Sequence, residues 1–86
     1  MAKRTQFGEL NKWVTLLDSG LIEIESVWAK RDYHKDFQLY KDNVTFTVRN
    51  RDDVLPGCFV RCDGYDYPVV NIAHLDKNYL ALECTL

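Results

Sequence analysis

Residues 58–67, CFVRCDGYDY, constrain the fold more than any other stretch, because Asp-Gly sits between two runs of strand composition. Both central residues of a two-residue type I′ turn need positive φ, which Asp tolerates and Gly adopts freely. The stretch therefore predicts a hairpin turning at Asp63 and Gly64. In that register Arg61 faces Asp66 and Cys62 faces Tyr65, and an opposite-charge pair across a ladder contributes about 0.2–1 kcal/mol. Pro68 has no N–H to give, so the returning strand must be an edge, carry a bulge or be interrupted there.

Period-2 patterning recurs along the chain. Val44, Phe46 and Val48 alternate with Thr45, Thr47 and Arg49, and Leu80, Leu82, Cys84 and Leu86 alternate with Tyr79, Ala81, Glu83 and Thr85. Apolar stretches at 13–17 and 21–30 flank Asp18-Ser19-Gly20, which supplies turn chemistry and predicts an opening hairpin. In its second strand Ile22, Ile24, Ser26 and Trp28 share a face, which places Trp28 with the core. Residues 75–78 predict a turn into the last strand. Residues 31–43 resist a strand reading: Tyr33, Phe37 and Tyr40 fall at i, i+4 and i+7, the spacing of a short helix or of a loop with aromatic anchors. The pattern predicts a mainly β chain, a small antiparallel barrel or sandwich of about six strands with one short helix or loop insertion.

Size fits one such domain over residues 1–86, with residues 1–7 as an N-terminal arm, and leaves a small core that partner subunits would supplement. The hydrophobic fraction of 47% is too high for a disordered tail. Eleven basic against 13 acidic residues give a net charge of −2, which argues against a general nucleic-acid binder. No apolar run reaches membrane-spanning length, and the basic start lacks the apolar segment of a signal peptide, so a non-exported, soluble chain is expected. Three cysteines in such a chain read as reduced thiols.

Cys58, Cys62, His74 and Cys84 invite a zinc reading. The first two are four residues apart on an expected strand, roughly 13 Å, too far for one tetrahedral ion, so packing is the preferred role and no metal or cofactor is expected. Asp32, His34 and Asp36 cluster without a nucleophile, a phosphate loop or a metal-binding helix motif, so no catalytic residue is assigned and no enzyme is expected.

Taken in order, the pieces resemble the head-tail joining proteins of tailed bacteriophages, the head-tail connector or head-closure family. GELNKWVTL (residues 8–16) is similar to the family's Gly and Leu ahead of a first strand, and Val27-Trp28-Ala29 to its Val-Trp-Ala at the end of the second. FTVRNR (46–51) resembles its strand closing on Arg-x-Arg, and DVLPGCFVRCDGYDYPV (53–69) its Pro-Gly, strand, Gly-turn and Tyr-x-Val succession. The resemblance implies a structural virion protein, assembled in the bacterial cytoplasm as a ring around the DNA channel between the portal or adaptor side and the tail. Its partners would be copies of itself, the portal or adaptor and tail proteins, and packaged DNA would pass without sequence-specific contact. The arm, with Lys3, Arg4 and Phe7, and the 31–43 excursion, with Arg31, Tyr33, His34, Lys35, Phe37 and Tyr40, are the expected contact segments. The alternative is a small barrel that binds nucleic acid through the aromatics and Lys/Arg residues of 30–41.

Overall fold

The computed structural model describes residues 10–36 and 41–85. Six antiparallel strands, β1 (Lys12–Leu17), β2 (Glu23–Asp36), β3 (Lys41–Arg49), β4 (Phe59–Cys62), β5 (Tyr65–His74) and β6 (Tyr79–Thr85), close into a barrel in the order β1-β2-β3-β6-β5-β4. Two three-stranded meanders, β1–β3 and β4–β6, are thus joined edge to edge. The long seam pairs Asn43–Arg49 with Tyr79–Thr85 over seven positions. The short seam pairs Thr15, Leu16 and Leu17 with Arg61, Val60 and Phe59.

The alternating residues fill the inside. Val44, Phe46 and Val48 of β3 and Leu80, Leu82 and Cys84 of β6 are buried, as are Val14 and Leu16 of β1 and Val60 and Cys62 of β4. Phe46 sits centrally and meets the Tyr67 ring edge-on at 5.3 Å between centroids, a geometry aromatic pairs favour. The inward position of β2 beside the tryptophan is Ala29, which is fully buried.

Trp28 itself departs from expectation. It is 50% exposed, on the outer wall, and Ile22 is 67% exposed. A six-strand barrel has a narrow bore, and with Phe46 and the leucines inside there is no volume left for an indole.

The expected helix or loop over 31–43 is also overturned where it is described, since Lys30–Asp36 pairs with Lys41–Thr47 as a continuous ladder. Each of these residues has the pairing partner a strand needs, and this backbone bonding outweighs the helical spacing of the aromatics, of which Phe37 and Tyr40 lie outside the described residues. Val27-Trp28-Ala29 therefore lies within β2 and not at its end. The ladder passes beyond the Asn43–Thr85 pair that ends the β3–β6 seam, so the β2–β3 hairpin projects past the barrel wall.

Turns carry the expected chemistry. Asp63 (φ 53°) and Gly64 (φ 79°) take the type I′ conformation, and the hairpin register pairs Arg61 with Asp66 and Cys62 with Tyr65. The Asp66 carboxylate accepts two hydrogen bonds from Arg61, at 2.7 and 3.2 Å. In the opening turn the Asp18 carboxylate accepts from the Gly20 and Ile22 amides at 2.8 and 3.0 Å, and positive φ falls on Leu21 (64°). At the last turn Asp76 accepts from the Asn78 and Tyr79 amides.

Pro68 does not mark an open edge. Val69 turns its N–H and C=O toward residues 57–58, so alternation points the Pro68 nitrogen to the β6 side, where pairing starts only at Val69. A bulge follows at once, between Val69 and Asn71.

Two substitutions test the turns. A Cβ at Gly64 meets no atom within 4 Å, so Gly64→Val is opposed by backbone conformation alone and should cost about 1–3 kcal/mol, whereas Gly64→Asn should cost much less. Leu21→Asn should instead stabilise, by about 0.5–1 kcal/mol, because Asn tolerates the left-handed region that a leucine enters only with strain. Urea denaturation midpoints check both signs.

Candidate functional site

β1, β3 and β5 run in alternate sense to β2, β4 and β6, so the 63–64 turn, the start of β1 and the far half of β2 meet at one end of the barrel. The short β1–β4 seam stops before reaching this end, and side chains continue the closure. Lys12 Nζ lies 2.8 Å from Asp63 Oδ2, and Arg31 Nη1 donates to the same oxygen at 3.0 Å. Two strands, β1 and β2, are held to the β4–β5 turn by one carboxylate.

Aromatic rings extend the cluster. The Arg31 guanidinium lies 5.0 Å from the centre of the Tyr33 ring, and the Tyr33 and Tyr67 hydroxyls share a hydrogen bond at 3.4 Å. Tyr65 packs on Tyr67 at 4.8 Å. Tyr67 is buried, while Tyr33 and Tyr65 are half exposed, so the group presents two rings and a cation to solvent over a buried third ring. Arg31 Nη1 also reaches Cys62 Sγ at 3.5 Å.

The electrostatics follow from these contacts. Hydrogen bonds from Lys12 and then Arg31 hold the Asp63 carboxyl below the usual carboxylate range. The Tyr67 phenol is pushed up to about 12, first by its hydrogen bond with Tyr33 and then by burial. Burial raises the Cys62 thiol, and it raises Cys84 to about 12. Neither thiol has thiolate character at neutral pH, so both behave as apolar packing groups. At the opposite end, Arg51 is held by Asp53 and by Glu25, the latter at 2.8 Å.

A second feature lies on the outer wall. Trp13 and Trp28 face each other in the β1–β2 register and meet edge-on at 4.9 Å. Both are at least half exposed. With Leu10, Val27 and Val48 they line a groove of about 610 Å³.

Among the residues expected to make contacts, Arg31 and Tyr33 come together in the end cluster, and Asp63 is its hub as well as a turn residue. His34 and Lys35 lie on β2, with side chains outside the described set, and Lys3, Arg4, Phe7, Phe37 and Tyr40 lie outside the described residues. Lys12, Tyr65, Tyr67 and the tryptophan pair were not legible as site residues. Trp13 and Trp28 flank the opening turn, which is a signal for cross-strand pairing. The register shift between Leu16 and Leu17 hides it, since one residue of slip exchanges the faces. Cys58, Cys62 and Cys84 are buried and His74 is exposed, and among the described residues no three His, Cys, Asp or Glu side chains group to hold a metal. Comparison with protein-family models, curated proteins and solved structures finds no match to this chain.

The end cluster sets two pH limits. Asp63 has a folded-state pKa below its unfolded value near 3.9, so its contribution is full above that pH and is lost as pH falls from there through the folded-state value. Tyr67 has a raised value, so its contribution is present below the unfolded value near 10 and lost as pH rises toward about 12. Asp63→Asn should make the acid limb of a stability–pH curve shallower, leaving the parts due to Asp53 and Asp66, and Tyr67→Phe should do the same to the alkaline limb, leaving the parts due to Cys62 and Cys84. Denaturation midpoints measured from pH 3 to 12 read both.

Proposed function

We propose that this chain is a structural subunit of the head-tail junction of a tailed bacteriophage, assembling as a ring around the DNA channel between the portal or adaptor side and the tail. The observation that carries the reading is the correspondence between motif order and strand order. The GELNKWVTL motif runs into β1, FTVRNR closes β3, and the Pro-Gly to Tyr-Pro-Val stretch covers the connection into β4, β4 itself and the start of β5, while Val-Trp-Ala falls on the second strand but within it and not at its end.

Physical features support it. The interior is filled by side chains, so contacts with partners fall to the outer wall and the two ends. The projecting β2–β3 hairpin gives a ring subunit a lever beyond its own wall, and Tyr33 at its base is 56% exposed. A net charge of −2 suits a conduit, because a strongly basic lumen would retain the DNA it must release. At the end cluster Lys12 and Arg31 are both turned onto Asp63, which weakens the alternative of phosphate tracking through this segment.

A phage deleted for this chain should accumulate filled heads and free tails, and supplying the protein in trans should restore joined particles in electron micrographs. Normal joining without it would overturn the reading. Salt-dependent binding of single-stranded DNA, lost on Tyr33→Ala, would favour the nucleic-acid alternative.

A further inference from the structure

β2 changes partner partway along. Residues 23–29 pair with β1, and among the described residues the ladder with β3 begins only where Lys30 faces Thr47. Residues 25–28 and 48–51 flank the groove beside the tryptophans, so it lies where β2 and β3 are neighbours in the barrel but not yet paired. Its floor is the core itself, since Val48 is fully buried and Val27 packs against the buried cluster. Trp13 and Trp28, 55% and 50% exposed, stand at its lip. Leu10 belongs to no strand, yet it lines the groove and is only 6% exposed. It is also the first described residue, so residues 1–9, MAKRTQFGE, join the barrel from inside the groove.

We propose that the groove is the seat of this chain's own N-terminal segment, with Phe7 laid against the Trp13 and Trp28 rings and residues 7–10 filling the gap between β2 and β3. Three residues span at most about 10 Å, so Phe7 stays within reach of the rings that Leu10 already adjoins. Phe7 is the one aromatic residue ahead of Leu10, and Gly8 between them lets the chain turn both side chains to the same side. Aromatic rings gain from edge and offset contacts beyond the area they bury. A strand edge without a ladder neighbour pairs readily with extended backbone, and this segment brings such backbone beside residues 25–28. Covalent attachment decides between this occupant and any other chain: a short tether holds the segment at an effective concentration in the millimolar range, above that of a second copy in dilute solution. Charge does not select the occupant, because Arg51 at the rim is already held by Glu25 and Asp53. Phe7 then fills a pocket of its own chain and not a pocket of a partner, whatever the chain does in a virion.

The chain's two tryptophans both line the groove, so the fluorescence of the full-length protein reads its occupancy. The wild type should show blue-shifted emission and weak quenching by acrylamide at monomeric mass, both unchanged on dilution. Phe7→Ala should move the emission to the red and raise the quenching constant severalfold with the far-ultraviolet circular dichroism kept, whereas Phe7→Leu, which keeps an apolar side chain, should stay close to the wild type. A second measurement leaves Phe7 in place. A nitroxide attached through Gln6→Cys, introduced in the native state where Cys58, Cys62 and Cys84 are buried, should quench the tryptophan emission, and the quenching should survive dilution and disappear in denaturant. Equal acrylamide quenching in the wild type and Phe7→Ala would overturn the seat, as would a nitroxide at position 6 that leaves the emission unchanged. Shielding that grows with concentration, in step with mass by sedimentation, would overturn it too and give the groove to a second copy. None of these readouts involves the joining of heads to tails, so the seat and the virion reading fail separately.

Discussion

Closure of the sheet is the constraint on which the rest depends. Two three-stranded meanders would each expose two edges of unpaired amides and carbonyls, and such edges recruit other chains. The β3–β6 seam removes two of them over seven residue pairs, but the β1–β4 seam has only three, because β4 is four residues long. Where that backbone pairing ends, Asp63 takes over, drawing in Lys12 from β1 and Arg31 from β2. A turn residue required for its backbone conformation thus also supplies the charge that holds the barrel shut at this end.

Closure also rations the interior. A bore framed by six strands takes layers of Val, Leu and Cys with Phe46 at the centre, and the β2 position next to the indole shrinks to Ala29. Cysteine earns its place at Cys58, Cys62 and Cys84 as a small apolar filler, since burial keeps the latter two thiols protonated. The larger aromatics are displaced to the wall and the rim. Tyr67 is the intermediate case: its ring packs against Phe46 while its hydroxyl reaches out to Tyr33, which lets a buried residue anchor the exposed cluster.

The parts of this architecture that were legible in the sequence are those set by local chemistry. Asp63-Gly64 dictates its turn and, with it, the Arg61–Asp66 register, while the alternation in β3 and β6 dictates which side chains fill the bore. What was not legible depends on pairs distant in sequence. The far half of β2 is strongly charged and carries no alternation of apolar residues, and none of its side chains from Lys30 to Tyr33 is buried. Its strand conformation comes from β3, opposite it. The outward placement of Trp28 depends on the register shift at Leu16 and Leu17, which no local preference announces.

The filled bore decides where recognition can occur. With no room for a ligand inside, whatever this barrel meets it must meet on its wall or at its rims, and the apolar residues left outside are not scattered evenly. Trp13 and Trp28 share one hollow, Val70 stands on the far wall, and Leu21, Ile22, Leu55 and Leu75 lie in the connections at the end away from Asp63. Burying such groups gains roughly 25 cal/mol for each Å² removed from water. A chain this short has little core to gain from, so a leucine kept exposed at positive φ and two tryptophans left half in water are stability forgone by the isolated subunit. Any surface that covered them would recover it, so packing within the single chain and cover over its wall draw on the same limited supply of apolar surface.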